Sequence, residues 1–83
     1  MSAARLLLVE DDPTVRELVT HHLEKAGFDV VAEESAESAW RHVPTVDLLV
    51  LDWMLPGESG VDLLARLRAG PHAQKPVLML TAR

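Results

Sequence analysis

Eighty-three residues make at most one domain, since domains usually run to about 100–200. With 48% apolar and 25% charged positions the composition is globular, and thirteen acids against eight Lys and Arg leave a net charge of −5, which argues against direct nucleic-acid binding by this segment. The lack of cysteine excludes a disulfide scaffold, a thiolate nucleophile and Cys-ligated metal. No apolar run is longer than that at Leu48-Leu49-Val50-Leu51, where a membrane span needs about 20 residues and a signal peptide an apolar stretch of about 7–15, so the chain reads as a cytoplasmic domain without membrane contact.

Arg5-Leu6-Leu7-Leu8-Val9-Glu10 is a short apolar run without alternation, as suits a strand buried on both faces, and it ends in Glu10, Asp11 and Asp12. A helix follows, with Asp12 as N-cap, Pro13 in the first turn, Val15, Leu18, Val19, Leu23 and Ala26 at helical spacing, and Gly27 as the stop. Phe28–Glu33 reads as a second strand. Ser35 caps a short helix through about Val43, with Ala36, Ala39, Trp40 and Val43 inward and Pro44-Thr45 breaking it. Val46–Leu51 is a third strand, ending on Asp52. The turn-rich segment Leu55-Pro56-Gly57-Glu58-Ser59-Gly60 leads into a third helix with Val61, Leu64, Ala65 and Leu67 on its buried stripe, closing near Gly70-Pro71. Pro76–Leu80 is a fourth strand, followed by Thr81, Ala82 and Arg83.

Strands and helices alternate with short connections, which implies an α/β doubly wound parallel sheet with helices on both faces. Only three helices serve four strands, so part of one face should lie uncovered beside the last strand. In such sheets ligands gather at the carboxyl ends of the strands. Glu10 and Asp11 follow the first strand there and Asp52 ends the third; if those strands are neighbours, the carboxylates converge. Like charges that close oppose each other's ionisation unless a cation sits among them, and an oxygen-only donor set suits a hard cation such as Mg²⁺. Asp12 is accounted for by its capping role. Thr81 ends the fourth strand on the same rim, where its hydroxyl and the Ala82 backbone N–H could donate to a phosphoryl oxygen.

The segments Leu7-Leu8-Val9-Glu10-Asp11-Asp12, Leu51-Asp52-Trp53-Met54-Leu55-Pro56-Gly57-Glu58-Ser59-Gly60 and Leu78-Met79-Leu80-Thr81-Ala82-Arg83 together resemble the receiver domain of two-component response regulators. The middle segment is most similar to the subfamily whose receivers precede a winged-helix DNA-binding domain. The resemblance implies a flavodoxin-like sheet of order 2-1-3-4. It further implies that Asp52 accepts a phosphoryl group from a sensor histidine kinase, that Asp11, Asp52 and the Met54 backbone carbonyl ligate Mg²⁺, and that Glu10 acts through water. Thr81 matches the family's switch hydroxyl, with the Ala82 N–H as a second phosphoryl contact, and Pro56 and Gly60 match the turn that shapes the loop after the acceptor.

The family also places a Lys at the end of a fifth strand and two further helices beyond the fourth strand. None follows Arg83 here, and Lys25 and Lys75 fall where they cannot substitute. The expectation is therefore an incomplete receiver over residues 1–83, about two-thirds of the domain, whose exposed edge favours a homodimer or swapped oligomer. The competing readings are a receiver-fold interaction module without a working phosphoswitch, and a Mg²⁺-dependent phosphohydrolase. The latter needs a second Asp two positions after its nucleophile; that position is Met54, so the chain reads as a non-enzymatic module. His21 and His22 read as boundary residues, Trp40 and Trp53 as packing residues, Glu33, Glu34 and Glu37 as a solvated acidic edge, and Arg66 and Arg68 as exposed charges.

Overall fold

The computed structural model describes residues 3–80. Strand β1 (Arg5–Val9) is followed by helix α1 (Pro13–Lys25), β2 (Asp29–Glu33), the single turn α2 (Ala36–Ala39) running on as a 3₁₀ segment (Trp40–Thr45), β3 (Leu48–Asp52), α3 (Gly60–Arg68) and β4 (Val77–Leu80). The sheet is wholly parallel with order β2-β1-β3-β4, as the sequence implies. Val9 lies beside both Glu33 and Leu51, and Asp52 beside Leu80, so the strand ends form one rim.

Each face of the sheet has its own core. Leu7, Val9, Leu49 and Leu51 face α2, the 3₁₀ segment and α3, packing with Ala36, Ala39, Val43, Leu63 and Leu67. Leu6, Leu8 and Val50 face the other way, toward Val19 and Leu23 of α1. The central strands β1 and β3 are therefore buried on both sides, which is why their sequences run apolar without alternation. On the α1 face the cover stops short of β4, where Leu78, in register with Val50, is 59% exposed.

The caps follow the sequence closely. Asp12 accepts from the Thr14 and Val15 amides (2.9 and 3.2 Å), Ser35 from Ser38 and Ser59 from Asp62. Gly27 ends α1 at φ +103°, a left-handed conformation that a side chain would strain.

Several expected boundaries and faces move. Only Val19 and Leu23 of the α1 stripe pack against the sheet core; Leu18 and Ala26 are exposed, because α1 rests on the sheet along a strip too narrow to take a residue one step round the helix. The buried row of α3 is Gly60, Leu63 and Leu67, while Val61 and Ala65 face solvent. Gly60 fixes this rotation, since it lies so close to the Asp52 carbonyl that a Cβ there would collide with it. Pro44 sits inside the 3₁₀ segment rather than ending it, and the Thr45 hydroxyl donates to the His42 carbonyl at 2.9 Å. Val46 is buried but precedes the β3 ladder; the next residue, Asp47, accepts from the Arg5 amide at 2.7 Å.

Candidate functional site

Glu10 and Asp11 leave β1 and Asp52 ends β3, and because these strands are neighbours the three side chains meet: one carboxylate oxygen from each lies within 4.8 Å of the others. Glu10 and Asp52 are buried and Asp11 is exposed, so the cluster opens to solvent on the Asp11 side. Glu10 Oε2 is buried with no hydrogen-bond partner. Burial raises the Glu10 carboxyl from 4.5 to about 7, reinforced by the neighbouring carboxylates of Asp52 and Asp11. A divalent cation among these oxygens would remove both penalties, and hard oxygen donors suit Mg²⁺. The orphaned Glu10 oxygen and the acid-only donor set thus fit such an ion.

Backbone bonds hold the cluster in place. The Glu10 amide donates to Glu33 O (3.0 Å), the Trp53 amide to Leu80 O (3.1 Å) and the Gly60 amide to Trp53 O (3.2 Å), so the loop after Asp52 begins as a tethered turn. Met54 donates its amide to Asp52 Oδ1 at 3.2 Å, orienting the carboxylate on the rim. Leu55 is buried in the core on the α3 side, whereas Trp53 and Met54 stand about half exposed beside the acids. Pro56 is exposed, and Gly57 turns the chain at φ +73°. Thr81 and Ala82 lie outside the described residues.

Other side chains are tied more closely into the fold than their sequence context shows. Arg16 of α1 donates to the carbonyls of Glu10 (2.9 Å) and Asp11 (3.3 Å), pinning the β1–α1 turn. Its position four residues after the N-cap was the signal, because helical side chains lean back toward the N-terminus. Arg66 is no free charge: it pairs with Glu58 at 3.2 Å and lies 3.9 Å from the centroid of the Trp40 ring. Arg68 donates to the carbonyls of Ala73 and Lys75. The acidic edge is also only partly solvated. Glu33 meets His42 at 2.9 Å and Arg41 at 3.7 Å, and Glu37 accepts from the Glu58 amide at 3.4 Å. His21 and His22 are exposed. Lys75 is on the opposite rim, donating to Val46 O at 2.6 Å.

Comparison with known proteins converges on one family. The family model for the response regulator receiver domain matches residues 6–83. The phosphate regulon transcriptional regulatory protein PhoB of Escherichia coli K12 is 44% identical over 84 residues, an overlap covering 98% of this chain and 37% of PhoB. The protein of the same name from Pseudomonas aeruginosa is 38% identical over 88 residues, covering 100% of this chain and 38% of that relative. The chain thus spans little more than a third of the length of these curated relatives. Among solved structures, the N-terminal domain of a response regulator receiver protein from Methanoculleus marisnigri JR1 matches with a TM-score of 0.91 at 30% identity, covering 99% of this chain and 69% of that one. Among the described residues no helix is long and apolar enough to cross a membrane.

Proposed function

The chain belongs to the response regulator receiver domain family, and on that premise we propose that it is the phosphoacceptor part of a cytoplasmic two-component response regulator, with Asp52 as the acceptor. The observation that carries this reading is the convergence of the Glu10, Asp11 and Asp52 carboxylates on one rim of the sheet. Asp11, Asp52 and the Met54 carbonyl would hold Mg²⁺, with Glu10 acting through water, as the resemblance implies. When bound, the ion neutralises charge on the phosphoryl oxygens.

Asp52 does the covalent work. One of its carboxylate oxygens attacks the phosphorus of a phosphohistidine on a sensor kinase; the new O–P bond forms as the P–N bond breaks, and the imidazole departs. The Met54 amide, bonded to Oδ1, fixes the orientation of the carboxylate for this attack. The acyl phosphate carries roughly two negative charges where the carboxylate carried one, together with the phosphoryl oxygens as new acceptors at the end of β3, a local change able to bias a two-state surface. Thr81 and the Ala82 amide keep the phosphoryl-binding roles implied by the resemblance, and Pro56 and Gly60 shape the loop. In a longer protein the readout is control of a winged-helix DNA-binding domain, in line with the relatives named as transcriptional regulators.

The test is incubation with Mg²⁺ and a small phosphodonor, followed by intact mass. We expect a single phosphoryl adduct that does not form when Mg²⁺ is chelated beforehand and is absent in Asp52→Asn. A folded chain that takes no adduct would overturn the reading in favour of an interaction module, and repeated turnover of phosphate esters would overturn it in favour of a hydrolase.

A further inference from the structure

The loop between β3 and α3 is anchored at both ends but not through its middle. Trp53 is tied to Leu80 and Gly60, Leu55 is buried, and Ser59 caps α3. Between them Pro56 and Gly57 are exposed, and Glu58 is fastened entirely by side chains from elsewhere. Its amide donates to Glu37 of α2 at 3.4 Å, and its carboxylate meets Arg66 of α3 at 3.2 Å. Arg66 in turn lies over the Trp40 ring, 3.9 Å from its centroid, and Trp40 packs on the core. Glu58 is therefore held at two points, its amide by Glu37 and its carboxylate by Arg66.

We infer that Trp40, Arg66 and Glu58 form a clamp that fixes the β3–α3 loop, and that Arg66 is a positioning residue for the cation site proposed above. Without Arg66, the Glu58 carboxylate loses its partner and only the long amide bond to Glu37 still holds this residue. The short segment between Leu55 and Ser59 then relaxes, and the change passes to Met54 just before it, whose amide bonds Asp52 Oδ1. The planar guanidinium matters as well as the charge, because only a flat cation can lie on the indole while pairing with a carboxylate at its edge. Both contacts are partly solvent-exposed, so they are too weak to decide whether the chain folds. They are strong enough to bias a short loop between two conformations.

This inference rests on the proposed cation site, and the experiment separates the two. Mn²⁺ is titrated into the full chain and the free ion counted by electron paramagnetic resonance, for the parent, Arg66→Ala, Arg66→Lys, Glu58→Gln and Asp11→Asn, with the thermal midpoint of each measured in chelator. Arg66→Ala is expected to weaken Mn²⁺ binding by about tenfold with little change in midpoint, Glu58→Gln to weaken it by about threefold, and Arg66→Lys to recover only part of the loss. Should Arg66→Ala lower the midpoint substantially, Arg66→Lys and Glu58→Gln carry the test instead. Parent-like Mn²⁺ affinity in the clamp variants, with binding lost in Asp11→Asn, would sink the clamp and leave the cation site standing. No binding by the parent would sink both.

Discussion

Glu10 shows how a site announces itself in a single side chain. Its carboxyl is buried beside Asp52 with one oxygen unpartnered, and is raised from 4.5 to about 7. Below about 4.5 the folded and unfolded chains both hold this proton, and the group's contribution to stability is intact. Between 4.5 and about 7 the unfolded chain has released a proton that the folded chain retains, so stability falls as pH rises; above about 7 the loss is complete. Glu10→Gln is neutral throughout and lacks this slope. In chelator, its unfolding free energy relative to the parent should climb across that window to a plateau on the order of 3 kcal/mol. A pH-independent difference in denaturant melts would refute the burial argument. The sequence points to Glu10, Asp11 and Asp52 because acids at the tips of apolar strands have few other uses. It is silent on Arg66 and Glu37, because an Arg on a helix and a Glu beside a cap look the same whether solvated or paired. Their partners come from other elements, so only the assembled fold distinguishes the two states.

At the level of elements, strands, caps and the inward face of the second helix (Ala36, Ala39, Trp40 and Val43) were legible, and the faces of α1 and α3 only in part. Asp12, Ser35 and Gly27 act through neighbours two or three residues away, so local sequence suffices to place them. The face α3 turns inward depends instead on Gly60 and its close approach to β3, a contact between elements; with that row against the sheet, Leu63 rather than Val61 is buried. Gly60→Ala sets two effects against each other. Alanine is the better helix former by about 0.5–1 kcal/mol, but its Cβ would strike the Asp52 carbonyl, a backbone atom that cannot swing aside. The clash wins, and the variant is expected to lose about 1–3 kcal/mol net in chemical denaturation. Because the atom struck belongs to the proposed acceptor, phosphoryl transfer should fall as well. A stabilised variant would show that the loop has room to yield.

For the molecule as a whole, the β2-β1-β3-β4 order does the decisive work: it seats β1 against β3 and so brings together carboxylates far apart in the chain. Alternation of strands and helices made the parallel sheet readable from sequence, and the shortage of helices made the exposed side of β4 readable too, as Leu78 shows. The family resemblance supplied the strand order. This arrangement makes a charge-dense rim on a chain of net charge −5, and two kinds of stabilisation by salt must be told apart. Simple screening relieves repulsion among exposed acids and depends only on ionic strength. A specific divalent ion that binds the folded chain stabilises it by mass action, by about 2.7 kcal/mol at a hundredfold excess over its dissociation constant. For a domain of this size each kcal/mol is worth about 4–8 °C. Saturating Mg²⁺ should therefore raise the thermal midpoint by about 10 °C or more, while KCl at matched ionic strength should raise it far less. Asp11→Asn should respond to both salts alike, since it keeps the fold but loses the one open-sided carboxylate of the cluster. If KCl reproduces the Mg²⁺ shift in the parent chain, the carboxylates are only neighbours and hold no ion between them.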